Sequence, residues 1–253
     1  MNSVMWQSEW VAHSSRIVLL RHGQTDFNVR GRFQGSSDIP LNDTGREQAR
    51  RAADVLARRL SGHGGSVGVT PNATPEGGVR VVTSPLRRAH ETGRIVAKAL
   101  AKRGLLVGAT FDGGGRIQVE TDDRLIERSY GDFEGHTGAE IEEIFPESHA
   151  RWLAGQETPE VGVESSRAVG ERVREALLDH ILQTGADETL LIASHGAAIA
   201  RGLIAMIGLD AGTFTALRGL DNCHWSELAC DARHDEWRMV SHNIGAVEDV
   251  IGG

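Results

Sequence analysis

Three stretches of the chain run from apolar residues straight into groups that hold or attack an anion. Leu19 to Thr25 reads LLRHGQT, Val81 to Ala89 reads VVTSPLRRA, and Leu191 to Gly196 reads LIASHG. Together they bring two His-Gly pairs, Arg21 and the arginine pair Arg87-Arg88. A phosphomonoester needs such a set: several donors aimed at its anionic oxygens and a nucleophile in line with the leaving oxygen. Arg21, Arg88, His195 and the backbone amides near Gly23 can supply the donors, and His22 the nucleophile. Each of these residues, taken singly, is ordinary surface or core. It is their joint arrival that carries meaning.

The elements that must position them can be read from periodicity. RIVLL (16–20) and VRVVTS (79–84) are short, β-branched-rich runs, and ETLLIAS (188–194) is a third buried-type strand. Behind the first, LNDTGREQARRAADVLARRL (41–60) places Ala49, Ala53, Leu56 and Leu60 at helical spacing after a polar start. Behind the second, residues 84–104 read as a helix with Ser84 as N-cap and Pro85 at the first helical position. Helices are also expected over 164–183 and 195–209. Strands alternating with helices predict an α/β fold, a mostly parallel sheet covered on both faces. Ligands of such sheets sit beyond the carboxyl ends of the strands, where the three stretches lie.

Composition bounds the reading. The 253 residues are 40% hydrophobic, enough for one sizeable core. The formal net charge of -8, from 35 acidic and 27 basic side chains, argues against nucleic acid or an anionic membrane as partner. The opening MNSVMWQSEWVAHSS lacks the pattern of a signal peptide, and no later run approaches the ~20 apolar residues of a spanning helix. With two cysteines, Cys223 and Cys230, no disulfide framework arises, and a cytoplasmic location is expected. The expected organisation is an extension at 1–15 and a single domain over 16–253. Within that domain lie a Gly-rich insertion at 61–78 and a lid-like segment at about 121–163.

At this point the residues resemble the histidine phosphatase superfamily, in its phosphoglycerate-mutase-like branch. The pattern R-H-G-[QE]-[TS]-x-x-N is met by Arg21 through Asn28, and S-x-L-x-R-A-x-x-T by Ser84 through Thr92. L-x-E-x-x-x-G-x-[WF]-E-G is met by Leu125 through Gly135, and S-H-G by Ser194 through Gly196. The resemblance implies a three-layer α/β/α fold in which His22 is phosphorylated during turnover and Arg21, Asn28, Arg88 and His195 form the phosphate pocket. Gln34 and Gly35 match a loop near the substrate, with Gln where mutases carry Thr, and Gly196 accompanies His195. Glu127 falls on the acid/base position. A carboxyl there must protonate the leaving alkoxide and then activate water, and nearby anionic phosphate raises a carboxyl pKa toward the first task. The plain alternative for Glu127 is a surface carboxylate paired with Arg124 or Arg128, and Glu134 is the next candidate for its role.

Between hydrolysis and transfer, the text after Glu127 decides the expectation. Mutases of the family carry a lysine, paired arginines and a proline run there. RSYGDFEGHTGAEIEEIFPESHARWLAGQETPEVGVESSR has neither the lysine nor the arginine pair. GDFEG and GVESSR resemble the phosphatase side. RHGQTDFN, SPLRRA, GLDNCHWSEL and WRMVSHN are most similar to actinobacterial members acting on glucosyl-3-phosphoglycerate. The expected protein is a phosphomonoesterase for a small phosphorylated metabolite, without metal or other cofactor. The alternatives are a phosphoglycerate mutase and a catalytically silent phosphate-binding regulatory module, and a homodimer stays open. His13, His63, His149, His180, His234 and His242 lie on polar segments without metal-ligand spacing and are expected to be bland.

Overall fold

The fold, taken from a computed structural model, is described for residues 16–61, 77–112, 116–185, 187–231 and 236–246. The expected extension at 1–15, most of the insertion at 61–78, and His13, His63 and His234 lie outside the described residues. In chain order the elements are β1 (Arg16–Arg21), α1 (Asp26–Val29), α2 (Asp43–Leu60), β2 (Val79–Thr83) and α3 (Arg87–Lys102). Next come the short strands β3 (Leu106–Val107), β4 (Thr110–Phe111), β5 (Ile117–Gln118) and β6 (Glu120–Thr121), then α4 (Gly138–Ile144) and α5 (Pro146–Leu153). The chain continues with α6 (Ser166–Leu182), β7 (Thr189–Ser194), α7 (Gly196–Met206), β8 (Trp225–Asp231) and β9 (Glu236–Ile244).

Among the described residues seven strands form one sheet, in the order β3-β2-β7-β1-β8-β9 with β6 also on β2. β1, β2, β3, β6 and β7 pair in parallel. β8 and β9 join antiparallel at one edge, which the alternation of strand and helix motifs does not announce. Side chains alternate across a strand, so each strand feeds two cores. Ile17 and Leu19 of β1 pack with α6 and α7, against Val173, Leu177, Ile199 and Leu203. Val18 and Leu20 face the other way, onto Ala49, Leu56, Val96 and Leu100 of α2 and α3. Buried on both faces, the strand can be apolar throughout, and the result is the three-layer α/β/α arrangement.

One local expectation fails. α3 begins at Arg87 with Leu86 as its N-cap and no side-chain cap, so Ser84 and Pro85 precede the helix. The Ser84 hydroxyl is used elsewhere, as described below. His180 is buried, and its Nε2 lies 2.9 Å from Asp122 Oδ2. The helical period of α6 turns that residue inward with Leu177 and Ile181. No helix of the described residues is long and apolar enough to cross a membrane.

Candidate active site

β1, β2 and β7 end side by side, Arg21 in register with Ser194 and Thr83 with Ala193. His22, Ser84 and His195 therefore leave the sheet at one edge. His22 N–H donates to the Ser194 carbonyl (3.0 Å) and Ser84 N–H to the Ala193 carbonyl (2.9 Å), which extends the ladder past the last strand residue. Gly23 is required by the next step of the chain: a Cβ there would come within 2.3 Å of the Gly45 carbonyl oxygen in the first turn of α2. That approach presses the loop after His22 against the helix.

His22 is 2% exposed, a fully enclosed side chain rather than a loop histidine marginal to the core. Its Nδ1 is 2.7 Å from the Gly23 carbonyl oxygen, which can only accept, so the ring proton sits on Nδ1 and Nε2 carries the lone pair. Burial, then Arg21 and Arg88, holds the imidazole well below the usual histidine range and keeps it neutral. The carbonyl of His22 is itself held by Asn222 Nδ2 (3.0 Å) and the Cys223 amide (3.3 Å).

His195 is also fully buried, its ring 5.2 Å from that of His22. Ser84 Oγ accepts from the Leu86 amide (3.3 Å) and stands 2.8 Å from His195 Nε2, the acceptor open to its hydroxyl proton. The ring proton of His195 is thus on Nδ1. Burial, followed by Arg88 and His22, lowers this histidine too, so it is a neutral donor. Arg21 is anchored through Nη1 to the Leu220 carbonyl, and Arg88 through both Nη groups to Ser37 O (2.7 Å) and Gly35 O (2.8 Å). Burial brings Arg88 down to about 10, which leaves it charged at neutral pH.

Among the described residues six buried side-chain polar atoms lack a partner, and three of them are Arg21 Nε, Arg88 Nε and His195 Nδ1. An unpaired buried donor costs about 1–3 kcal/mol, so three in one constellation mark a place prepared for an acceptor. Arg21 and Arg88 line a cavity of about 220 Å³ together with His22, Asn28, Gln34 and Glu127, while His195 stands outside that lining, behind the ring of His22. The carboxamides are oriented alike. Asn28 Oδ1 accepts from the Thr25 amide (3.0 Å) and Gln34 Oε1 from the Thr25 hydroxyl (2.8 Å), which leaves the amino group of each to donate.

Glu127 is 8% exposed and takes its bonds from backbone. Oε1 accepts from the amides of Arg128 (2.9 Å) and Ala198 (2.9 Å), and Oε2 from that of Ala197 (3.3 Å), at the start of α7. The alternative pairing is absent: Arg124 bonds Asp122 and Asp179, and Arg128 bonds Glu157. Glu134 instead holds the loop after Gly35, accepting from the Ser36 amide (3.0 Å) and the Ser37 hydroxyl (3.0 Å). Gly35 permits this, at φ 49 with Glu134 Oε1 only 1.9 Å from where a Cβ would be.

Two placements differ from expectation. The amides near Gly23 are occupied, Gly23 N–H by Thr92 Oγ1 (3.2 Å) and Gln24 N–H by Gln48 Oε1 (2.9 Å). Gly196 does not line the cavity; a Cβ there would sit 3.5 Å from Arg21 Nε, so it makes room for that guanidinium. Sequence reasoning missed the wall formed by Arg32, Phe33 and Tyr130. Arg32 forks onto Glu140 of α4 (2.6 and 2.9 Å). Phe33 meets Tyr130 and Trp152 edge-on at 5.0 and 5.9 Å. The only signal was aromatic residues scattered through a polar segment.

An α/β sheet edge that gathers two neutral imidazoles, two guanidiniums and a carboxylate at or beside a small cavity has the groups that phosphoryl transfer requires. The model of the histidine phosphatase superfamily (branch 1) matches residues 17–63 and 69–245. The chain belongs to that superfamily, and its chemistry is phosphomonoester hydrolysis. It is 32% identical to the glucosyl-3-phosphoglycerate phosphatase of Mycolicibacterium vanbaalenii, over 91% of this chain and 95% of that one. Phosphoserine phosphatase 1 of Hydrogenobacter thermophilus is 26% identical over 87% and 89%. The solved mycobacterial glucosyl-3-phosphoglycerate phosphatase with VO3 superposes with a TM-score of 0.71 at 28% identity, covering 91% of this chain and 100% of that one.

Proposed function

We propose that the protein hydrolyses glucosyl-3-phosphoglycerate or a closely related phosphorylated glycerate through a phosphohistidine at His22. The observation that carries this reading is the pairing of a buried, neutral His22 with its lone pair on Nε2 and three unpartnered donors, Arg21 Nε, Arg88 Nε and His195 Nδ1. In this reading those donors, with Asn28 and Gln34, hold the phosphate oxygens. Nε2 attacks phosphorus; the N–P bond forms as the P–O bond breaks, and the leaving oxygen takes a proton from Glu127. Water then gives a proton back to Glu127 while its oxygen attacks phosphorus, the N–P bond breaks, and inorganic phosphate departs. Two guanidiniums and His195 perform the charge stabilisation that a divalent cation performs elsewhere. The substrate class is supported by the 32% identity over nearly the whole chain.

The test is a turnover panel of glucosyl-3-phosphoglycerate, 3-phosphoglycerate and sugar phosphates, with and without chelator, combined with acid-quench trapping of phosphoprotein. Phosphate release, preference for the glucosylated ester, acid-labile label on His22 and indifference to EDTA are expected. Interconversion of 2- and 3-phosphoglycerate with little free phosphate, stimulated by a bisphosphoglycerate, would make the protein a mutase instead. Activity lost to EDTA and restored by a divalent ion would move the chemistry to a metal.

A further inference from the structure

The GVESSR stretch (162–167) has no part in the site described so far, yet its glutamate reaches toward it. Glu164 lies between Val163, which bridges to Tyr130, and the start of α6. Its amide donates to the Ser129 carbonyl (2.9 Å), and its Oε2 accepts from the Ser129 amide (3.2 Å). The same carboxylate takes Arg172 in a fork, Nε to Oε1 at 2.8 Å and Nη2 to Oε2 at 3.0 Å. Held in that plane, Arg172 donates to three main-chain carbonyls. Nη1 bonds Arg124 O (2.6 Å) and Ile126 O (2.8 Å), and Nη2 bonds Glu127 O (3.2 Å).

These carbonyls belong to the 3-10 turn Asp123–Leu125 and the irregular segment directly after it, which have no strand ladder to satisfy them. The main chain of Glu127 is thus gripped from the α6 side while its carboxylate is gripped by the Ala197 and Ala198 amides of α7. Arg172 is not part of the cavity lining; its contacts toward the site are with the main chain around Glu127, and its charge also adds to those that lower His195, a contribution that a lysine in its place retains.

We propose that Arg172, locked by Glu164, is a positioning residue for proton transfer to the leaving group. It fixes the carbonyls on both sides of Glu127 and so sets where that carboxylate stands over the phosphate. This rests on the reading of Glu127 as the acid/base group. A lysine in its place keeps the charge but has no planar fork to span three carbonyls and a carboxylate.

The experiment compares Arg172→Lys, Arg172→Ala and Glu164→Gln with Glu127→Gln, on 3-phosphoglycerate and on p-nitrophenyl phosphate, with melting curves for each variant. An alkoxide needs a proton to leave and a nitrophenoxide does not. The expected result for both Arg172 variants is a kcat on 3-phosphoglycerate lower by about 100-fold, the scale of a 1 Å misplacement. KM should stay within about threefold, and the pre-steady-state burst of nitrophenol should be preserved within about threefold. Glu164→Gln should move in the same direction by less, and it decides the matter together with Arg172→Lys should the alanine variant not fold. Equal losses on both esters, or none, overturn the proposal. If Glu127→Gln shows leaving-group dependence and the Arg172 variants do not, only the positioning role fails; if Glu127→Gln itself shows none, the acid/base reading fails and the proposal with it.

Discussion

The floor and the wall of the cavity are built in different ways. The floor is built from Arg21 and His22 at the end of β1 and Arg88 in the first turn of α3, with His195 after β7 backing His22, and Arg88 and His195 are wholly enclosed. Its donors are anchored by carbonyls and hydroxyls, each bond using one atom and leaving a neighbouring one free. The wall, from Arg32, Phe33 and Tyr130, rests on the aromatic cluster of Phe133, Phe145 and Trp152 and on the short helices α4 and α5. Its members are only half-buried, and Arg32 keeps 28% of its side chain exposed although Glu140 holds it. A group common to every substrate, the phosphate, suits a rigid and fully desolvated floor, where fixed donors act in a low dielectric. A group that varies suits an aromatic wall that can be exchanged without disturbing the sheet.

If that division is right, floor variants damage all phosphoesters alike and wall variants discriminate among them. The largest effect is expected from His22→Ala, which should lower turnover by at least about 10⁴-fold on every ester. Because His22 is enclosed, a modest fall in melting temperature should accompany it. Activity near that of the parent would remove the phosphohistidine mechanism. Next comes Arg88→Ala, with a loss of about 10²–10³ in kcat, or roughly 2.7–4 kcal/mol, the scale of a lost oxyanion donor. A change confined to KM would show that Arg88 binds ground state and transition state equally.

Tyr130→Phe probes the wall. Its KM for the preferred ester should rise by up to about tenfold, the worth of one hydrogen bond, while p-nitrophenyl phosphate turnover changes by less than about twofold. Equal effects on both substrates would erase the distinction between floor and wall.

The smallest effect is expected on stability against pH. Histidines in the unfolded chain titrate near about 6.5. His22 and His195 are held well below that in the fold, by burial first and guanidiniums second. As pH falls through about 6.5 the unfolded chain therefore binds protons that the native state refuses, so stability drops with falling pH. Melting curves between about pH 7 and 5 should show this slope, flattened in a His22→Ala/His195→Ala double variant. An imidazole of His22 that titrates near about 6.5 by NMR would contradict the site electrostatics.

Legibility in the sequence followed the same division. The floor could be read because its residues follow directly on apolar runs, and a buried strand places what comes after it at the sheet edge. β8 and β9 escaped notice because an edge ribbon mixes polar and apolar positions; β9 reads EWRMVSHNI and has no fully buried residue. Ser84 looked like a helix cap, since a serine before a proline and a helix ordinarily is one. Only the spatial neighbour His195, 111 residues away in sequence, draws the hydroxyl off.

The sequence by itself determined which strands end in donors and nucleophile, because hydrophobic period and local residue type are properties of neighbouring residues. It determined the superfamily by four motifs in order. The tertiary structure alone decided the protonation geometry: which nitrogen of His22 carries the lone pair, which nitrogen of His195 donates, and which amides are already occupied. It alone decided that Glu127 is gripped by Arg172 on one side and α7 on the other. Apart from the bond between His22 and its neighbour Gly23, those outcomes depend on hydrogen bonds between residues 24 to 111 positions apart in the chain, and all of them are specific to a distance and an angle that no local pattern encodes.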